Sequence, residues 1–296
     1  MSGKMEKLLQ WSIANTQKNE DGKTHDQPDP KALAELFGLG GPSEPELMKH
    51  AMAVISNPDA TVDNKLIAFE NFEMLIENLD NANLMKNLKL WEPLIKVLDD
   101  KDDELRACAL STIGSAVQNN QTTQNDFMSY ETGLIKIMDL AKDNKEQPSS
   151  VRIKAFFAIT CLVRHNVEIL NKFISLKGIN LTADALNETP ENPKLKLRAL
   201  SLVSAMLATA TVNEEFVSEL RCQNILAACI RSLTPNETNI YVLDRILNIL
   251  AHLISNGIKF TEEETDDLQK KIISIEPLKD RLNEDDYQIL KQVLKI

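Results

Sequence analysis

The feature that most constrains this chain is a repeat. Pro93-Leu-Ile-Lys-Val-Leu98 returns as Gly133-Leu-Ile-Lys-Ile-Met138, a spacing of 133 − 93 = 40. Leu105-Arg106, Ala109, Ile113, Val117 and Asn120 return as Val151-Arg152, Ala155, Ile159, Val163 and Asn166, a spacing of 151 − 105 = 46. A longer loop from Asp143 to Ser150, holding Pro148, takes up the difference of 46 − 40 = 6. A third copy reads Leu195, Ala199, Val203 and Leu207, and a fourth Tyr241, Ile249, Leu253 and Asn256. An earlier one runs through Leu66, Ala68, Phe72, Leu75 and Ile76.

Within each copy the apolar residues recur at helical spacing, about i, i+4, i+8. Another apolar helix precedes each, as from Asn224 to Leu233. A period in the forties with two or three helices per unit is the armadillo/HEAT pattern. One such unit cannot bury its apolar face alone, so neighbours stack into a continuous core. The sequence therefore predicts an all-α fold, an armadillo/HEAT-like right-handed helical solenoid over residues 43–296. Ser43-Glu-Pro-Glu46 reads as a capping box at its start. Thr261-Glu-Glu-Glu264 reads as another, opening an acidic helix that caps the last unit together with Pro277 to Ile296.

Composition agrees with this. Only 9 Gly and 5% aromatic residues leave little for the turns and strands of sandwiches, barrels or Gly-rich nucleotide folds. Residues from about Glu20 to Pro45 stand apart, with Gln27-Pro-Asp-Pro30 and Gly38-Leu-Gly-Gly-Pro42. Such a stretch buries little, so residues 1–42 are expected to form a flexible N-terminal extension. The charge balance, 33 − 44 = −11, argues against nucleic acid, which needs a basic surface. No stretch reaches the roughly 18 apolar residues of a membrane helix. The apolar run at the N-terminus is too short and interrupted for a signal peptide. The four cysteines, Cys108, Cys161, Cys222 and Cys229, lack C-x-x-C spacing and read as buried structural thiols of a reducing compartment. The expected localisation is the cytoplasm, with the nucleus left open.

The motifs of catalysis are missing. Gly38-Leu-Gly-Gly lacks the spacing of a phosphate-binding loop, and no nucleophile elbow, zinc motif or Walker motif occurs. His25, His50, His165 and His252 are scattered. The run of Asp99, Asp100, Asp102, Asp103 and Glu104 sits where it favours a helix N-terminus rather than acid–base work. The reading is of a protein that is not an enzyme, with no cofactor and no metal.

Two features suit binding instead. Lys194-Leu-Lys-Leu-Arg198 places cations at a helix start, against the helix dipole. Either they pair with acidic neighbours in the same unit, as is expected of Arg106 and Arg152 in theirs, or Arg198 offers its fork to an acidic partner from the final helix of the unit. Leu8, Leu9, Trp11 and Ile13 form an apolar cluster in an otherwise polar segment. They either dock on their own solenoid or form a short peptide for another protein's groove.

The sequence resembles the Fes/HspBP-type armadillo nucleotide exchange factors of cytosolic heat-shock protein 70, most of all their fungal branch. The resemblance covers nearly the whole chain. It is carried by Leu8-Leu-Gln-Trp-Ser-Ile-Ala-Asn15, Pro28-Asp-Pro30 with Leu36-Phe-Gly38, Phe72-Glu-Met-Leu-Ile-Glu-Asn-Leu-Asp-Asn-Ala82, Val151-Arg-Ile-Lys-Ala-Phe-Phe-Ala-Ile159 and Glu276-Pro-Leu-Lys-Asp-Arg-Leu-Asn-Glu-Asp-Asp286. It implies a co-chaperone that embraces one lobe of the chaperone's nucleotide-binding domain, opens the cleft and promotes ADP release. It implies Ala82 and Arg198 as contacts to that domain. Leu8, Leu9, Trp11 and Ile13 become a release segment that competes for the chaperone's peptide groove. The implied partner is one cytosolic chaperone, with no nucleic acid and no membrane, bound by a monomer. The alternative is a scaffolding or transport adaptor. A groove of regularly repeated Trp would favour it, and this chain has only Trp11 and Trp91.

Overall fold

The computed structural model of this chain describes residues 41–143, 147–187, 192–237 and 239–296. The chain divides into two compact units, Met1–Leu47 and Met48–Ile296, and the second holds nearly all the described residues. The helices are α1 (Glu44–Ser56), α2 (Val62–Ile76), α3 (Leu79–Leu84), α4 (Trp91–Lys96), α5 (Asp103–Val117), α6 (Gln121–Met128), α7 (Gly133–Ala141) and α8 (Ser149–Val163). They continue as α9 (Val167–Ser175), α10 (Gly178–Asn187), α11 (Pro193–Thr209), α12 (Glu214–Cys222), α13 (Ile225–Ser232), α14 (Ile240–Ser255), α15 (Glu262–Ile275) and α16 (Glu284–Leu294). Two short 3₁₀ turns cover Val97–Asp99 and Glu276–Arg281. No strand occurs among the described residues.

The helices stack as two ladders. The long helices α2, α5, α8, α11 and α14 each pack on the next, and α16 closes that row. The shorter α7, α10, α13 and α15 form the second row. This is the helical solenoid expected from the repeat. The apolar stripe of each long helix faces the core: Leu105, Ala109 and Ile113 in α5, Val151, Ala155 and Ile159 in α8, Leu195, Ala199 and Val203 in α11, all buried. At the α4 end, Trp91 is fully buried and meets the Phe127 ring edge-on, with centroids 5.4 Å apart.

The turns are built from asparagine, the strongest helix N-cap. Asn120, Asn166, Asn192 and Asn213 accept from the backbone N–H of Thr123, Ile169, Leu195 and Phe216, at 3.4, 3.2, 3.0 and 2.9 Å. Two of them also tie neighbouring units together: Asn120 Nδ2 donates to Asn83 Oδ1, and Asn166 Nδ2 to Asn125 Oδ1, each at 3.0 Å. Thr261 and Glu264 form the reciprocal capping box at α15, at 3.2 and 2.9 Å. Ser43 does otherwise: its N–H and hydroxyl both donate to Glu46, at 2.7 and 2.8 Å. The acidic run is structural, since Asp102 caps α5 by accepting from Glu104 and Leu105 N–H and Asp99 pairs with Lys136.

Two expectations are corrected. In the fourth copy Ile249 and Leu253 are buried as expected, but Tyr241 is 66% exposed and Val242, in line with Ile246 and Leu250, takes its place in the core. Of the cysteines, Cys161 and Cys229 are buried, with burial pushing both thiols up to about 12. Cys222, however, is exposed, and Cys108 only half-buried.

Candidate partner-binding groove

With Val242 as its first core residue, α14 aligns with α11 at 245 − 198 = 47, so that Arg245 repeats Arg198. A step back of 198 − 154 = 44, the spacing of Val151 and Leu195, reaches Lys154 on α8. Together the long helices present a groove of about 560 Å³. Its walls are Lys194, Leu197, Arg198 and Ser201 of α11 and the equivalent Tyr241, Asp244, Arg245 and Asn248 of α14. Ile153 of α8 closes one end, Asn283 and Asp286 beside α16 the other.

The basic run in α11 splits by helical geometry. Lys196 points away and pairs with Glu237 at 3.3 Å, both side chains largely buried. Arg106 and Arg152, its equivalents in earlier units, pair with Asp103 and Asp143. Lys194 and Arg198, four apart and thus on one face, open into the groove. Lys196 is thus held inside the chain, though by a residue ahead of the next long helix, while Lys194 and Arg198 make no such pair among the described residues. The Arg198 guanidinium lies over the Phe157 ring, 5.0 Å from its centroid. Phe157 can lie there because Gly114 on α5 has no side chain: a Cβ at that position would come within 2.5 Å of the ring. Gly114, Phe157 and Arg198 thus form a chain across three long helices that holds the guanidinium in place.

Arg245 is half-buried. Burial, and then the positive charge of Arg164, hold its pKa below the usual arginine value, with Asp244 acting the other way. On α2, α5 and α8 the same side of the ladder carries a closed polar relay. There Ser111 and Ser115 donate to Glu73 Oε1 at 3.0 and 2.8 Å, and Lys154 Nζ donates to Ser111 Oγ at 3.0 Å.

Ala82 is elsewhere and in a different state. It lies in α3, which packs on α5 and α6, and is only 3% exposed. Its N–H donates to Asn78 O at 3.0 Å. It is separated from Arg198 by two steps of the long ladder, on the order of 20 Å at usual helix spacings. It offers a partner almost no surface of its own; its small size serves the packing of α3 first. Leu8, Leu9, Trp11 and Ile13 lie outside the described residues. Sequence reading passed over Phe157, Gly114 and Arg245, although Phe157 stands about one period from Arg198 and Gly114 about one more from Phe157.

Among the described residues, no group of three or more His, Cys, Asp and Glu could hold a metal ion. No helix among them is long and apolar enough to cross a membrane.

Comparison with known proteins shows the family. The family profile for "Nucleotide exchange factor Fes1" matches residues 5–85, and that for the "SIL1/FES1/HPBP1 C-terminal domain" residues 81–225. The chain belongs to the Fes1 family of nucleotide exchange factors. It is 52% identical over 292 residues to the Hsp70 nucleotide exchange factor FES1 of Saccharomyces cerevisiae, covering 98% of this chain and 100% of that one. It is 51% identical over 290 residues to the protein of the same name from Candida glabrata, covering 98% and 99%. Among solved structures it is similar to a designed armadillo repeat protein in complex with the peptide (KR)4. That likeness has a TM-score of 0.64 at 16% identity, over 86% of this chain and 99% of that one. A structure from work on the cadherin–β-catenin interaction matches with a TM-score of 0.63 at 13% identity, over 89% of this chain and 48% of that one. Likenesses at such identity speak for the armadillo fold alone.

Proposed function

We propose that this Fes1-family chain is a co-chaperone that binds the nucleotide-binding domain of Hsp70, opens it and promotes ADP release. The observation that carries the reading is likeness along the whole chain, at 52% identity, to an Hsp70 nucleotide exchange factor. The mechanism needs no reacting group. A rigid stack of helices that binds the open, nucleotide-poor chaperone more tightly than the ADP-bound one must weaken ADP binding by the same factor. The long-helix face supplies the grip. Arg198, oriented by Phe157, is the polar anchor at one end. The surface over Ala82 is a close-approach site at the other, where a small residue keeps α3 flush against its neighbours. The N-terminal segment, through Leu8, Leu9, Trp11 and Ile13, acts as a release element that competes with bound substrate for the chaperone's peptide groove. The protein works in the cytoplasm, as a binding partner rather than a catalyst.

The test is release of fluorescent ADP from full-length Hsp70. Adding the chain should raise the release rate at least about tenfold, the size of coupling exerted by a typical allosteric effector. Removing residues 1–41 should leave that rate in place and slow the release of a persistent substrate. An unchanged ADP rate at saturating chain would end the proposal.

A further inference from the structure

The Arg245 side of the groove gathers cations that this chain leaves without an internal partner among the described residues, with the charge of Arg164 close by. Lys154, the equivalent of Arg198 one unit earlier, donates to Ser111 of this chain. Among the described residues, the side chains of Lys194, Arg198 and Arg245 make no ion pair and donate no hydrogen bond, though the chain as a whole carries a net −11. The two acids nearby are already used. Asp244 Oδ1 accepts from the Asn283 backbone N–H at 2.8 Å, and Asp286 Oδ2 accepts from Asn248 at 3.1 Å. These bonds brace the start of α16 against α14; Asp244 still acts on Arg245 through its charge, but neither acid forms an ion pair with an arginine of the groove. Among the described residues no guanidinium nitrogen of Arg198 or Arg245 is buried without a partner, so both forks stay solvated and open to an acceptor.

We infer that Arg245 and Arg198 form a carboxylate clamp in the groove between α11 and α14, and that its occupant is an acidic surface element of the folded chaperone. This inference rests on the exchange-factor reading above. The kind of partner follows from charge placement. Cations fill the middle of the groove, whereas Asp244 and Asp286 stand at its α16 end. A continuous polyanion such as nucleic acid would be repelled there. A protein surface that sets carboxylates beside a donor matches both ends. Tyr241, 66% exposed on the rim, adds a broad ring of the sort that anchors protein interfaces. Arg245 is the repeat-related counterpart of Arg198, so the two forks stand on adjacent helices and can hold two carboxylates at once.

The experiment compares Arg245→Glu and Arg245→Gln with Arg198→Ala, in the full chain, by affinity for nucleotide-free full-length Hsp70 and by ADP release. Lys270→Glu, an equal charge change at a 76% exposed side chain on α15, is the control. Arg245→Glu should weaken binding at least about tenfold, the glutamine variant less, with unchanged thermal midpoints and Lys270→Glu within about twofold of wild type. If Arg245→Glu unfolds, Arg245→Gln decides. Wild-type affinity in both Arg245 variants, with Arg198→Ala impaired, overturns the clamp and leaves the exchange function standing. If wild type itself fails to speed ADP release, the underlying function is what fails. Micromolar binding of ADP or inorganic phosphate to the chain alone, lost in Arg245→Gln, would assign the groove to a small anion and overturn the inference.

Discussion

The two positions that the family resemblance singles out behave in opposite ways. Ala82 is sealed into α3 and its neighbours, and its effect on any partner passes through packing. Arg198 stands in an open groove, held by stacking on Phe157 with no internal ion pair among the described residues. In the proposed interface one would act by what it excludes and the other by what it displays. A stacked-helix protein can thus carry two surfaces of different physics on one frame, because a continuous core and asparagine-capped turns hold neighbouring units together.

The largest effect should come from breaking the packed site. Ala82→Arg drives a guanidinium into a 3% exposed position and should cost about 3–5 kcal/mol, seen as a lowered denaturation midpoint. Arg198→Ala should change stability by less than about 1 kcal/mol, since a stacked, partly exposed arginine adds little to the fold. Equal stability of Ala82→Arg and wild type would erase the contrast. For that reason Arg198→Ala, not Ala82→Arg, is the clean probe of partner binding: loss of exchange in Ala82→Arg mixes a steric block with a damaged α3.

The same contrast recurs two residues away within α11. Lys196 pairs with Glu237 in a largely buried setting, so Lys196→Ala should cost about 2–3 kcal/mol in urea unfolding. Lys194→Ala, on the groove face, should stay within about 0.5 kcal/mol. A smaller disturbance tests how Arg198 is held. Gly114→Ala brings a Cβ within 2.5 Å of the Phe157 ring; moving that ring should cost about 1–3 kcal/mol and reduce ADP exchange several-fold. Exchange at the wild-type rate in that variant would mean that Phe157 does not position Arg198. The smallest effect is chemical: a maleimide should label exposed Cys222 in the native chain, whereas Cys161 and Cys229, their thiols raised to about 12 by burial, should react only on unfolding.

The architecture was legible because its signal is redundant. Leu105, Val151 and Leu195 each recur within a helix and again one unit later, so a single ambiguous residue cannot hide the period. The start of the fourth copy was not legible. Tyr241 and Val242 are both apolar enough to start a core stripe, and only packing against α11 decides that the valine goes in. Arg198 announced itself as a cation at a helix start, but its support did not. Phe157 and Gly114 look like ordinary helix residues until they are seen one period apart, at 198 − 157 = 41 and 157 − 114 = 43. The burial of Ala82 was hidden for a similar reason: α3 is a short helix with no stripe of its own, and its inner face is fixed by α5 and α6.

The central claim is energetic coupling through shape, and a binding cycle tests it most directly. The affinity of the chain for Hsp70 should be measured with the chaperone empty and again saturated with ADP. Affinity for the empty form should be higher at least about tenfold, matching the factor by which the chain weakens ADP binding. Equal affinity for the two forms would contradict the account, because a grip indifferent to the nucleotide cannot expel it.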